Sequence, residues 1–181
     1  MVVKEAKMIK QSMLIGGQTV QASNGATFER RNPLDGSVAT RAPAATSADA
    51  VRAVEAAQAA FPAWAALGPT ERRLMLMKAS QALEAKAEAF ASAMAAETGA
   101  SGIWAGFNVH LAASMLLEAA SLTTQINGEI IPSDVPGSVA MAVRQPAGVV
   151  LGIAPWNAPV ILAVRSIRSE EHTSELQSRS A

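Results

Sequence analysis

A helical pattern of apolar residues runs through residues 47–124, and this feature restricts the fold more than any other in the chain. A first helix is predicted to begin with Ser47 as its N-cap, and Asp49 lies in the first turn, where the helix dipole favours an anion. Because Pro62 has no backbone N–H, this helix is expected to end or bend near Phe61. Helices of this kind must supply much of the core.

Two further helices are predicted downstream. The second runs from Pro69 to the stop signal at Gly99 and carries an apolar stripe with a spacing of seven residues. The stripe consists of Leu76, Leu83 and Phe90. The third covers about residues 102–124, and because it has few charges we expect it to be the most buried of the three.

Strand patterns lie on both sides of the helical stretch. Three short strands are predicted before it, at residues 13–15, 18–20 and 27–30. After it, Asn127-Gly128 is a hairpin-turn signal, Pro136-Gly137 marks another turn, and residues 139–144 alternate like an exposed strand. Residues 149–153 form a continuous apolar run, which predicts a strand covered on both faces. The fold class is therefore α/β.

Composition excludes several kinds of function. The 181 residues include no cysteine and two histidines, so no thiolate or histidine metal cluster is available and no metal is expected. A net charge of zero and 4% aromatic residues argue against nucleic-acid binding. Polar residues and prolines interrupt the two uncharged stretches, residues 98–117 and 146–164, which argues against a membrane span. The missing secretory signal and cysteines indicate the cytoplasm.

The last fourteen residues, 168–181, differ in character from everything before them. They interrupt an apolar helical pattern with Ser, Glu, Arg and Gln, without a cap or a proline. The string RSEEHTSELQS resembles the translation of a common sequencing-adapter oligonucleotide. We therefore expect an artefactual tail on a truncated reading frame, in which His172 carries no chemistry. A solvated C-terminal tail is the alternative.

The sequence contains no Gly-x-Gly fingerprint, phosphate loop or Gly-x-Ser-x-Gly elbow. One remaining segment contains residues that could take part in catalysis. A buried strand is predicted to lead into the stiff loop Pro155-Trp156-Asn157-Ala158-Pro159 and then into a helix. Ligands of open α/β sheets bind outside the carboxyl ends of such strands. The Asn157 amide could stabilise a developing negative charge at the helix N-terminus. Alternatively, its side-chain oxygen simply caps the helix.

This loop resembles the oxyanion-loop signature of the aldehyde dehydrogenase superfamily, and the resemblance extends over residues 13–167. Residues 99–110 are similar to the branch that oxidises aromatic aldehydes such as salicylaldehyde and vanillin. Further matching motifs occur in the family's order: Asn32-Pro33 with Gly36, Trp64, Glu71-Arg72, Leu83-Glu84, Glu97-x-Gly99, Gly128-x-x-Ile131-Pro132 and Arg144-Gln145-Pro146-x-Gly148.

The resemblance implies a role for each matching residue. Asn157 would be the catalytic oxyanion donor. The cofactor site would be lined by Ile153, Ala154, Pro155 and Trp156. The substrate funnel would be lined by Leu111, Ala158, Leu162 and Arg165. Arg165 would meet a polar ring substituent, or would be an ordinary solvent-facing arginine, whereas packing is favoured for His110 and Trp104.

The resemblance also implies the chemistry of the parent enzyme. Members oxidise an aldehyde to an acid with NAD or NADP, here with NAD favoured, through a cysteine nucleophile and a general-base glutamate. Both catalytic groups belong beyond residue 167 in the family pattern, so the chain is expected to be an inactive N-terminal fragment. The parent is expected to be a homodimer or homotetramer with a small-molecule aldehyde substrate. The competing hypothesis is a non-catalytic, Ala-rich helical module for assembly.

The expected organisation follows the Rossmann-like cofactor domain of the family, truncated, with an N-terminal hairpin, three main helices and an oligomerisation arm. Its parts would be a flexible N-terminus (1–12), the beginning of the cofactor domain (13–125), a β-arm (126–145), a strand with the oxyanion loop and a helix start (146–167), and the tail (168–181).

Overall fold

Four consecutive helices occupy the middle of the chain in the computed structural model, which describes residues 8–168. The helices are α1 (Ser47–Ala65), α2 (Pro69–Glu84), α3 (Ala87–Thr98) and α4 (Gly102–Leu122), and a single 3₁₀ turn (Thr123–Gln125) follows. A fifth helix, α5 (Pro159–Arg168), ends the described part. The helical middle of the chain is confirmed, although its division differs from the prediction.

Helix α1 begins one residue earlier and ends later than predicted. Its N-cap is Thr46, one residue before Ser47, and the Thr46 hydroxyl and the Asp49 carboxylate form a capping box. The backbone N–H groups of Thr46 and Ser23 donate to the carboxylate and hold the pKa of Asp49 well below its usual range. Helix α1 continues past Pro62 to Ala65, because proline removes only its own N–H and Ala66 still donates to the Pro62 carbonyl.

The predicted second helix is in fact two helices, α2 and α3, separated at Ala85–Lys86. An unbroken helix over these thirty residues would be about 45 Å long, whereas α4 is about 32 Å long. The break lets both halves pack against α4. The apolar stripe is correspondingly divided, because Leu83 packs against the core whereas Phe90 is 37% exposed.

The third predicted helix, α4, is the most buried helix of the described residues, as expected. It packs against α2, α3 and α5. The central cluster joins Leu116 of α4 with Met94 of α3 and with Val160 and Val164 of α5. Small residues let the helices approach closely, and Ser80 of α2 donates a hydrogen bond of 2.9 Å to a carbonyl of α4. This core fixes the helix that follows the candidate loop.

The N-terminal strands form two small sheets. A hairpin pairs β2 (Met13–Ile15) with β3 (Gln18–Val20), and its turn has positive φ at Gly16 and Gly17, which suits a type I′ turn. In the other sheet, β4 (Thr27–Arg31) lies antiparallel to β5 (Val38–Pro43). The remaining strand, β1 (Ile9–Lys10), pairs parallel to β5. Residues 9–10 of the predicted flexible N-terminus thus pair with the edge of β5, and the flexibility of this segment stays a prediction.

The β-arm forms, but with a different turn. Strand β6 (Glu129–Ile131) pairs antiparallel with β7 (Ala140–Ala142), so the predicted exposed strand is confirmed. Asn127-Gly128 is not the hairpin turn, since it precedes β6 and the chain reverses at Pro136–Gly137 instead. A Cβ on Gly128 would lie 2.6 Å from the Ala142 carbonyl oxygen, so glycine permits close approach there.

The predicted buried strand at residues 149–153 does not form. The segment pairs with no strand of the described residues, and its large side chains are exposed, with Leu151 82% and Ile153 80% exposed. A strand covered on both faces requires neighbouring strands and layers, and residues 8–168 supply none beside it.

No helix among the described residues is both long and apolar enough to cross a membrane. The cytoplasmic location stays a prediction. The expected tail lies outside the described residues, except for its first residue, which ends α5.

Candidate functional site

The candidate loop ends where α5 begins. Leu162 donates a backbone hydrogen bond of 3.0 Å to the Ala158 carbonyl, so Ala158 is the cap residue and Asn157 precedes it. Asn157 is exposed, and its side chain forms no hydrogen bond with the described residues. The capping alternative is therefore wrong, and the amide is left available at the positive end of the helix dipole.

The backbone of Asn157 is held from α4. The indole N–H of Trp104 donates to the Asn157 carbonyl oxygen at 3.3 Å. The Trp104 ring stacks on Phe107, with 5.6 Å between ring centroids. Packing alone was favoured for Trp104, and the structure adds a hydrogen bond to the loop.

The ring of Trp156 contacts a residue for which the sequence predicted no role in the site. The guanidinium carbon of Arg30 lies 3.3 Å from the centroid of the indole ring. Arg30 also pairs with Glu97, at 3.7 Å between Nε and Oε2, and Thr40 donates to the same carboxylate. The only sequence signal was the Glu97-x-Gly99 motif, and a single sequence cannot show that Glu97 and Arg30 meet a loop so far along the chain.

The residues assigned to the cofactor lie together just before Asn157. Ile153, Ala154 and Pro155 are exposed, and Trp156 is 43% exposed. The segment passes very close to α5 at Gly152, where a Cβ would lie 2.5 Å from the Cβ of Ser166. Only glycine fits this crossing, which sets the approach of residues 153–156 to the helix.

The residues assigned to the substrate funnel lie on two packed helices, α4 and α5. Leu111 of α4 and Leu162 of α5 are half-buried, Ala158 is buried and Arg165 is exposed. The spacing of Ala158, Leu162 and Arg165 places them on one side of α5. They thus range from buried to exposed along the helix that follows Asn157.

His110 was favoured as a packing residue, and this interpretation is wrong. Its side chain is 78% exposed, and Nδ1 lies 3.6 Å from a carboxylate oxygen of Glu84. It follows the buried Val109 directly, and the rotation of about 100° per residue turns it away from the face of α4 that packs against α2, α3 and α5. Among residues 8–168, no group of three histidine, cysteine or acidic side chains could hold a metal ion.

An apolar groove lies away from the loop. It has a volume of about 860 Å³ and lies between α1, α2 and residues 144–150. Mainly apolar side chains line it, among them Trp64, Leu76 and Val150. None of the residues predicted for the site is among those that line it.

The sequence profile of the aldehyde dehydrogenase family matches residues 20–169. The chain belongs to the aldehyde dehydrogenase family. A vanillin dehydrogenase from Pseudomonas fluorescens is 64% identical over 160 residues, which are 88% of this chain and 33% of that protein. The chain thus spans about a third of the length of the relatives it matches.

Solved members of the family share the fold. A salicylaldehyde dehydrogenase from Pseudomonas putida G7, complexed with salicylaldehyde, superimposes with a TM-score of 0.87 at 44% identity over 90% of this chain and 34% of that one. An NAD-dependent benzaldehyde dehydrogenase from Corynebacterium glutamicum gives a TM-score of 0.83 at 33% identity, over 89% and 36%. The α/β class and the resemblance to the aromatic-aldehyde branch are therefore confirmed.

Proposed function

We propose that this chain is the oxyanion-stabilising part of a dehydrogenase that oxidises an aromatic aldehyde to a carboxylic acid with NAD or NADP. The balanced reaction consumes the aldehyde, one oxidised cofactor and water, and yields the carboxylate, the reduced cofactor and two protons. In this proposal, Asn157 donates its side-chain N–H to the aldehyde oxygen as that oxygen gains negative charge.

The proposal depends mainly on the position of Asn157. Its amide is exposed and unengaged by the described residues, while its backbone is fixed by Trp104. The N-terminus of α5 adds a favourable potential for negative charge at the same place. A preorganised donor of this kind stabilises the transition state without reorganising during the reaction.

Residues 153–156 fit a cofactor. They present exposed apolar side chains beside the donor, which is the kind of surface that a nicotinamide ring needs. When bound, the cofactor accepts a hydride. Ile153, Ala154, Pro155 and Trp156 would hold it next to Asn157. We favour NAD over NADP, and kinetics with each cofactor decides between them.

The chain contains no cysteine, so it provides no thiolate for covalent catalysis. We therefore expect the 181-residue chain alone to be inactive. The function can be tested in a hybrid enzyme, in which the 160 residues of this chain that match the Pseudomonas fluorescens vanillin dehydrogenase replace the matching segment of that enzyme. The hybrid enzyme is expected to oxidise vanillin.

In the hybrid enzyme, Asn157→Ala should lower kcat by about 10²- to 10³-fold, the usual effect of removing one oxyanion donor. Because the donor acts in the transition state, kcat/KM should fall equally and KM should hardly change. Asn157→Asp, which keeps the shape but removes the donor, should be at least as damaging. Asn127→Ala, at another exposed asparagine, is the matched control. Unchanged kcat in Asn157→Ala would refute the proposed role.

Arg165 is proposed to recognise a polar substituent on the substrate ring. It is exposed on α5, on the same side as Ala158 and Leu162. Arg165→Met in the hybrid enzyme should lower kcat/KM for vanillin about tenfold or more, since an unmatched polar group is costly, and should spare benzaldehyde. Equal losses for both aldehydes would show that Arg165 does not read the substituent.

The β-arm supports assembly of the whole enzyme into a homodimer or homotetramer. Strands β6 and β7 pair only with each other among the described residues, and Ile130 and Met141 are 78% and 67% exposed. Free strand edges with apolar side chains tend to pair with another chain. Sedimentation of the hybrid enzyme should show an oligomer, and Ile130→Lys should weaken it. The same sedimentation for both proteins would argue against an arm contact.

A further inference from the structure

A line of contacts leads from the N-terminal sheet to the candidate loop. It starts at the buried Thr40, whose hydroxyl donates to Glu97, and continues through the Glu97–Arg30 ion pair. It ends where the Arg30 guanidinium lies over the face of Trp156, 3.3 Å from the ring centroid. The indole of Trp156 is thereby linked, directly or indirectly, to residues of β4, β5 and the end of α3.

The carboxylate of Glu97 restricts where Arg30 can lie. The Glu97 side chain is 16% exposed and holds Nε of Arg30 at 3.7 Å, while the Arg30 side chain is one-third exposed. A planar guanidinium fixed in this way stacks on an aromatic face better than a flexible ammonium group does. The ion pair with Glu97 therefore restricts the orientation of the guanidinium that stacks on Trp156.

Contacts to two consecutive residues, Trp156 and Asn157, restrain the backbone at the end of the loop. Arg30 holds the side chain of Trp156, and Trp104 holds the carbonyl oxygen of Asn157. Because the peptide unit between the two residues is planar, the two contacts restrict the backbone from which the Asn157 side chain projects. We propose that Arg30, oriented by Glu97, is a positioning residue that, through Trp156, holds the loop backbone from which the Asn157 amide projects. The inference rests on the proposed function of Asn157.

The neighbouring Arg31 provides a matched control. It lies on the same strand, pairs with Glu29 at 3.0 Å and donates to the Gly36 carbonyl. Substituting it removes the same charge from the same strand but touches neither Glu97 nor Trp156.

The first test uses the 181-residue chain labelled with fluorotryptophan. The three tryptophans give three fluorine NMR signals, and Trp156→Phe identifies one of them. Arg30→Met should shift and broaden the Trp156 signal and leave the Trp64 signal in place. Arg31→Met should leave the Trp156 signal unchanged. A Trp156 signal that does not respond to Arg30→Met overturns the contact.

The second test uses kinetics of the hybrid enzyme. Arg30→Met should lower kcat and kcat/KM together by about two- to fivefold, the effect of one partly exposed cation–π contact. Arg30→Lys should recover part of the loss. Glu97→Gln should reproduce a smaller loss and keeps the proposal testable if Arg30→Met folds poorly. Arg31→Met should match the parent.

The outcomes separate this inference from the proposed function. If Asn157→Ala lowers kcat but Arg30→Met and Glu97→Gln do not, Arg30 is not a positioning residue while the donor role stands. If Arg30→Met instead raises KM for the cofactor with unchanged kcat, it acts on cofactor binding and the inference is refuted. If Asn157→Ala has no effect, the proposed function itself fails.

Discussion

Truncation of Leu116 to alanine tests the core that holds the helix after Asn157. Leu116 is 5% exposed and packs in the cluster with Met94, Val160 and Val164. The change removes three buried carbons, worth about 2.4 kcal/mol at about 0.8 kcal/mol each. The remaining cavity adds to this loss, so we expect the free energy of unfolding to fall by about 2.5–4 kcal/mol.

Leu117 provides a control with identical chemistry one position away on α4. It is 48% exposed, so Leu117→Ala removes the same atoms from a site that is already half in water. We expect a loss of about 1 kcal/mol or less. Urea unfolding of the 181-residue chain, followed by far-ultraviolet circular dichroism, measures both losses, and equal m-values would show that the states compared are the same.

A domain of this size is stabilised by only about 5–15 kcal/mol, so Leu116→Ala can unfold a chain at the low end of that range. Leu116→Val is the milder variant, with an expected loss of about 1 kcal/mol. Equal losses at Leu116 and Leu117, or a larger loss at Leu117, would refute the packing of α4 described above.

Three further predictions concern single contacts. Ser80→Ala removes a buried hydrogen bond to α4 and should cost about 1 kcal/mol in the same urea titration, and no loss would show that the bond is not formed. The Thr46 N–H lowers the pKa of Asp49, so this stabilisation is complete above the ordinary pKa of about 3.9 and is lost as pH falls below it. Thermal melts from about pH 5 to about pH 2 should therefore decline more steeply for the chain than for Asp49→Asn, and parallel curves would contradict this. Gly152→Ala should destabilise the chain by about 1–3 kcal/mol through its clash with Ser166, and Ser166→Gly should relieve the clash, which a double-mutant cycle would detect as coupling.

The sequence by itself determined the features that depend on nearby residues. Gly16 and Gly17 adopt positive φ in the predicted hairpin turn, and Gly99 ends α3 in the left-handed conformation. Pro136–Gly137 forms the predicted turn. Each of these depends on backbone dihedral preferences within a few residues, so the local sequence is enough to specify it. The motif around Asn157 likewise identified the family.

Only the tertiary structure decided how distant segments meet. The break at Ala85–Lys86 follows from packing two helices on α4, although the apolar stripe continues through it. Residues 149–153 have the composition of a buried strand but remain exposed, because a strand needs partners and the described residues provide none. The contact of Arg30 with Trp156 joins two segments whose pairing no local pattern encodes. Such contacts depend on the free energy of the whole packed arrangement, and therefore appear only once the chain is folded.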